Sequence, residues 1–224
     1  MNAGGKRFGI IAALVLTLIG GISVAQAQEF RITALGDSLT QGYGLASEQG
    51  LVPQLQAWLA ARGHDVALLN AGVSGDTTAG GLSRLDWTLA DAPDAMIVAL
   101  GGNDLLRGLD PALSRANLAG ILERLAQDGV PALLVGVPAP GNYGPEYQAD
   151  FAAMYPALAE EFDALLVVDM LAPLSDRVAE GALPGSVFQD DMIHPNPQGV
   201  ALVVEQLGPQ VEALMMRVEA LRGM

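Results

Sequence analysis

Five short apolar runs, alternating with stretches of helical period, constrain this chain more than any other feature. Residues 31–35, 66–69, 95–100, 132–137 and 165–168 have the length and apolar content of β-strands. The last three are almost continuously apolar, as strands covered on both faces are. Between them, Leu51, Leu55, Trp58 and Leu59 share one helical stripe, with Arg62 at its polar edge, and Leu82, Leu85 and Leu89 share another. Asp110-Pro111 supplies a cap and a first-turn proline for a helix carrying Leu113, Leu118, Ile121, Leu122 and Leu125. Phe151, Met154, Tyr155, Leu158 and Phe162 form a fourth stripe, and Asn196-Pro197 opens a last helix that Gly208-Pro209 is expected to bend or interrupt. Alternating βα units imply a parallel sheet with helices on both faces. The expectation is an α/β fold: one domain, three layers (α/β/α), with a parallel, flavodoxin-like sheet of about five strands.

Ligands of such sheets bind beyond the carboxyl ends of the strands, so chemistry is sought just after each run. The first run leads into Gly36-Asp37-Ser38-Leu39. A serine there can sit on a sharp strand-to-helix turn, or it can merely cap the helix with Asp37. The second leads into Asn70-Ala71-Gly72-Val73-Ser74-Gly75-Asp76, where Gly72 can bring a backbone N–H close to a ligand or serve an ordinary turn. Ser74 is a rival nucleophile, but Asp76 stands where an α/β-hydrolase elbow needs glycine. After the third run comes Gly101-Gly102-Asn103-Asp104, whose Asn103 amide can hold an oxyanion or simply make a turn. Near the C-terminus, Asp191 and His194 stand at i and i+3, with Pro195 restricting the backbone of His194. Asp191 can then accept from one ring nitrogen and leave the other free to take a proton.

Composition removes most competing chemistries. Cysteine is absent, which excludes thiolate nucleophiles, disulfides and Cys-containing zinc sites. There are two histidines, and Asp190, Asp191 and His194 lack further ligands for a metal, so no metal and no organic cofactor are expected. His64 lies between a helix and the second run and is assigned no role. The only lysine is Lys6, inside a segment expected to be removed, so a mature Ser–Lys dyad or Schiff base is excluded. A net charge of −14 opposes approach to nucleic acid and to anionic membranes.

Residues 1–27 read as an export signal. Lys6-Arg7 precedes an uncharged apolar run, and Ala25-Gln26-Ala27 is a small-x-small cleavage site. The mature chain would be residues 28–224, periplasmic or secreted, with no permanent membrane span. The competing reading of the segment is a retained anchor.

These four signals, in this order, resemble the SGNH, or GDSL, hydrolase superfamily across essentially the whole mature chain. Residues 36–44, residues 101–108 and Asn142-Tyr143-Gly144 are similar to the bacterial thioesterase, arylesterase and lysophospholipase group of that superfamily. The resemblance implies a catalytic triad of Ser38, Asp191 and His194, and an oxyanion hole made by Ser38, Gly72 and Asn103. It places the acyl pocket between the 75–80 loop, the 105–109 segment and the 138–147 loop, with Leu105, Leu106, Arg107 and Tyr143 as substrate-binding residues. One departure is Met192, where the family usually has glycine. The implied partner is a small-molecule or lipid ester, met by a monomer. Two alternatives stay open: a carbohydrate deacetylase on the same fold, and a non-catalytic acyl- or lipid-binding protein.

Overall fold

The computed structural model describes Met1 and residues 30–139 and 141–223. The expected export signal therefore lies, apart from Met1, outside the described residues. Five parallel strands form one sheet in the order β2-β1-β3-β4-β5: β1 (Phe30–Gly36), β2 (Val66–Gly72), β3 (Ala95–Ala99), β4 (Ala132–Val135) and β5 (Leu165–Val167). Each expected strand is present within a few residues of its expected bounds. The order is the flavodoxin-like one, with its reversal point between β1 and β3. In register, Gly36 lies opposite both Gly72 and Ala99, so the ends of β2, β1 and β3 are level. The residues that follow them are thereby delivered to one edge of the sheet.

The helices are α1 (Ser38–Gln41), α2 (Leu51–Ala61), α3 (Thr78–Ser83), α4 (Leu85–Leu89), α5 (Gly102–Leu106), α6 (Pro111–Gln127), α7 (Pro145–Glu161), α8 (Ala172–Ala179) and α9 (Pro197–Arg222). α2 and α8 pack against α9 in one layer, while α3, α6 and α7 pack together in the other. The core is where the layers meet the sheet: Ile32, Leu35, Met96, Val98, Leu133 and Leu134 from the strands are at or near zero exposure. Hydrophobic burial on both faces explains the continuous apolar runs of β3 and β4.

Three expectations are corrected. The single stripe of Leu82, Leu85 and Leu89 is divided between α3 and α4, which meet at Arg84. Leu113 lies on the outer side of α6 and is 62% exposed, because the buried face of that helix runs through Ser114, Leu118, Ile121, Leu122 and Leu125, and position 113 is turned away from it. Of the two outcomes expected at Gly208-Pro209, interruption does not occur: α9 runs unbroken for 26 residues. An internal proline loses one hydrogen bond and strains the preceding turn. Burial of Val203, Val204 and Leu207 before it, and of Val211, Leu214 and Met215 after it, outweighs that loss.

Candidate active site

β1 ends at Gly36, and the chain turns at once into α1. The Asp37 carboxylate accepts from Leu39 N–H (3.0 Å) and so caps this four-residue helix. The capping reading of the sequence thus holds for Asp37, and it is compatible with chemistry at Ser38. The serine stands at the first helical position, half-buried, with its Oγ 2.9 Å from His194 Nε2. His194 Nδ1 lies 2.6 Å from Asp191 Oδ2. The other carboxylate oxygen, Oδ1, accepts from the backbone N–H groups of both Ile193 and His194 (3.0 Å each). The His194 N–H is the largest cause holding the Asp191 carboxyl down at about 2, so it stays ionised through neutral pH. The Tyr43 ring lies 4.8 Å from the imidazole and tilts over it. Proton relay from a serine hydroxyl to an oriented imidazole is what this arrangement can do.

Gly75 and Asn103 line the same cavity as Ser38. No described residue accepts from Ser38 N–H or Gly75 N–H. Asn103, in α5, directs its Nδ2 to Asp37 Oδ2 at 3.3 Å. The turn into α5 passes through Gly101, at φ +121°, where an added Cβ would come within 2.2 Å of the Tyr155 hydroxyl. Asp104 beside it is buried and accepts from Thr78 N–H, Thr78 Oγ1 and Ser114 Oγ, which ties α5 to α3 and α6. Burial pushes the Asp37 carboxyl up to about 6, against the opposing pull of Leu39 N–H and Asn103.

Gly72 is placed differently from the sequence expectation. Its N–H donates to Asn70 Oδ1 (2.9 Å), and it does not line the cavity around Ser38. The reason it is glycine is close packing: an added Cβ would meet Gln41 N at 2.3 Å, where β2 passes under α1. Gly75, three residues on, does line the cavity.

The residues 34–202 match the GDSL-like lipase/acylhydrolase family. The chain belongs to that family. It is 36% identical over 208 residues to the esterase TesA of Pseudomonas aeruginosa, covering 92% of this chain and 96% of that one. It is 34% identical to the thioesterase 1/protease 1/lysophospholipase L1 of Escherichia coli K12, covering 81% and 83%. Among solved structures, the SGNH-hydrolase family esterase AlinE4 superimposes with a TM-score of 0.68 at 42% identity, over 84% of this chain and 98% of that one. The chain is therefore an SGNH-type hydrolase, and ester hydrolysis is its class of reaction.

The GDSL-family site opens into a cavity of about 470 Å³. Besides Ser38, Asn103 and His194, its wall is mostly apolar: Leu39, Leu105, Leu106, Val137, Leu171 and Phe188. Leu105 and Leu106 are thus where the sequence reading put them, whereas Arg107 and Tyr143 are outside the wall. Arg107 donates to the Gly75 carbonyl (2.8 Å) and the Tyr143 hydroxyl donates to the Leu106 carbonyl (3.2 Å), so both brace the loops that form it. The expected loops around residues 75, 105 and 138 each contribute, but the contribution of Leu171, Ser175, Phe188, Met192 and Ile193 was not foreseen. Ser74 is also in the wall, without a histidine beside it. His64 pairs with Glu212 of α9 (2.8 Å). Arg84 was missed altogether. Its guanidinium donates to Asp76 Oδ2 (2.7 Å), the Ala71 carbonyl (2.7 Å) and the Gly36 carbonyl (2.9 Å), spanning the ends of β1 and β2. No pattern within the α3–α4 stretch signals this, because two of its three partners are backbone carbonyls at the ends of β1 and β2.

Among the described residues, no group of His, Asp or Glu is arranged to hold a metal ion, and no helix is long and apolar enough to cross a membrane.

Proposed function

We propose that this protein is an exported serine esterase that cleaves carboxylic esters and thioesters of lipid-derived or small acyl groups through an acyl-Ser38 intermediate. The observation that carries this reading is the continuous relay Ser38–His194–Asp191, opening on a mostly apolar cavity. His194 Nε2 takes the Ser38 hydroxyl proton as Oγ attacks the carbonyl carbon. The oxyanion is received by the N–H groups of Ser38 and Gly75 and by Asn103 Nδ2, with Gly75 in the part that the sequence reading gave to Gly72. Each such donor contributes about 3–4 kcal/mol to the transition state. Collapse of the tetrahedral adduct breaks the bond to the alcohol or thiol, which leaves with the proton from His194. Water then gives a proton to His194 and attacks the acyl carbon, and the carboxylic acid departs as Ser38 regains its hydrogen.

The wall also favours this reading over a deacetylase, since an acetyl group would leave most of it uncovered. The acidic surface disfavours free acyl-CoA, itself polyanionic, as a natural substrate and leaves thioester cleavage as a capability. The test is hydrolysis of p-nitrophenyl butyrate and octanoate by wild type, Ser38→Ala and His194→Ala. Both variants are expected to lose at least about 1,000-fold in kcat. Full activity in Ser38→Ala would reject the nucleophile, and an inert wild type would reject the esterase.

A further inference from the structure

The turn that carries Asp191 and His194 contains a backbone conformation that its residue does not favour. Met192 N–H donates to the Gln189 carbonyl (3.0 Å), and Met192 itself is at φ +59°. In this left-handed region a Cβ crowds the adjacent carbonyl, and glycine or asparagine is the usual occupant. The left-handed step is needed here, because it swings the next two N–H groups back onto Asp191 Oδ1. The Met192 side chain is not needed for any of this, since the hydrogen bonds of the turn are made by backbone, by Asp191 and by Gln189, whose Nε2 donates to the Pro195 carbonyl. What Met192 does instead is line the cavity, half exposed (51%), in a wall it shares with Ile193, Leu105 and Leu106.

We infer that Met192 is a specificity-determining residue: its unbranched, polarizable side chain is an adaptable wall for the hydrocarbon chain of the acyl group, and it shifts preference from short toward medium-length acyl esters. The inference rests on the esterase reading above. A hydrocarbon chain is the part of an ester that gains from an apolar wall, whereas glycerol or sugar leaving groups do not. Burying one further methylene is worth about four-fold in binding. A backbone strain retained at a position where glycine would relieve it is accounted for by that gain.

The experiment is a kcat/KM series on p-nitrophenyl acetate, butyrate, octanoate and decanoate for wild type, Met192→Gly and Met192→Ala, with Tm measured for each. Both variants are expected to lower the octanoate-to-butyrate ratio by about 4- to 15-fold, the equivalent of one to two methylenes. Only Met192→Gly is expected to raise Tm, because alanine keeps the Cβ that strains the turn. An unchanged ratio in both variants overturns the inference. So does a ratio that falls in the glycine variant alone, which would assign the effect to the backbone. A wild type inert on all four esters would instead remove the esterase reading beneath it.

Discussion

Asp37 shows how one carboxylate serves two demands that conflict. It caps α1 and orients Asn103, which calls for an anion, yet it is only 4% exposed, and burial raises its carboxyl from 3.8 to about 6. In the native state it therefore keeps a proton between about pH 4 and 6 that the unfolded chain has already lost. Its contribution thus favours folding at the acid end of that window and declines as pH rises through about 6, by about 3 kcal/mol in all. Asp37→Asn, which has no charge to bury, is expected to lack this pH dependence. Urea unfolding at pH 4.5 and 7.5 checks it: the wild-type stability should fall relative to that of the variant at the higher pH. A constant difference between the two proteins would mean that the carboxylate is solvated in the folded state. The same substitution sets an amide against Asn103 Nδ2, so kcat is expected to fall about 10- to 100-fold even where stability improves.

At the scale of elements, the site is a product of strand ends held level and loops pinned between them. Arg84, at the junction of α3 and α4, does the pinning on the β1–β2 side, with only 18% of its side chain exposed. The Ala71 carbonyl that it binds belongs to the peptide preceding Gly72, and Asp76 adjoins Gly75, so the clamp fixes the whole 71–76 loop. Lysine keeps the charge toward Asp76 but cannot reach two carbonyls as well. Arg84→Lys is therefore expected to lower kcat about 10-fold or more while changing KM less than about three-fold, since the N–H groups proposed to receive the oxyanion would be misplaced rather than the substrate wall. Steady-state kinetics on p-nitrophenyl butyrate distinguishes this from a general loss of fold, which would lower the active fraction in a titration of Ser38 with a phosphonate. If KM alone rises, Arg84 acts on the wall and not on the donors. Asp104 does the corresponding work on the other side, where three hydrogen bonds anchor α5 and hence Asn103.

For the whole molecule, the acidic surface and the N-terminal segment belong to one proposal, an enzyme working outside the cytoplasm. Expressed in a bacterium from its full sequence, the protein is expected in the periplasmic or culture fraction with a mass that begins at Gln28. A full-length chain held in the membrane fraction would mean that residues 1–27 act as an anchor. The fold was legible in the sequence because buried parallel strands are apolar throughout and helices between them carry a 3.6-residue stripe, both local properties of the chain. The candidate residues Ser38 and Asn103 were legible because the sheet topology sends the residues after β1 and β3 to one edge, and Asp191 and His194 because an i, i+3 carboxylate and imidazole before Pro195 can face one another. Gly72 and Gly75 were not separable in that way: two glycines three residues apart look alike until the path of the loop shows that one packs under α1 and the other faces the cavity. Arg84, the Phe188 and Leu171 walls and the left-handed turn at Met192 were equally hidden, since each is defined by partners brought from distant parts of the chain. Patterning along the chain determined the layers, the strand ends and the candidate reacting groups. Only tertiary packing decided which N–H groups stay free, which side chains clamp the loops and which ones line the cavity, because those depend on distances that no local periodicity encodes.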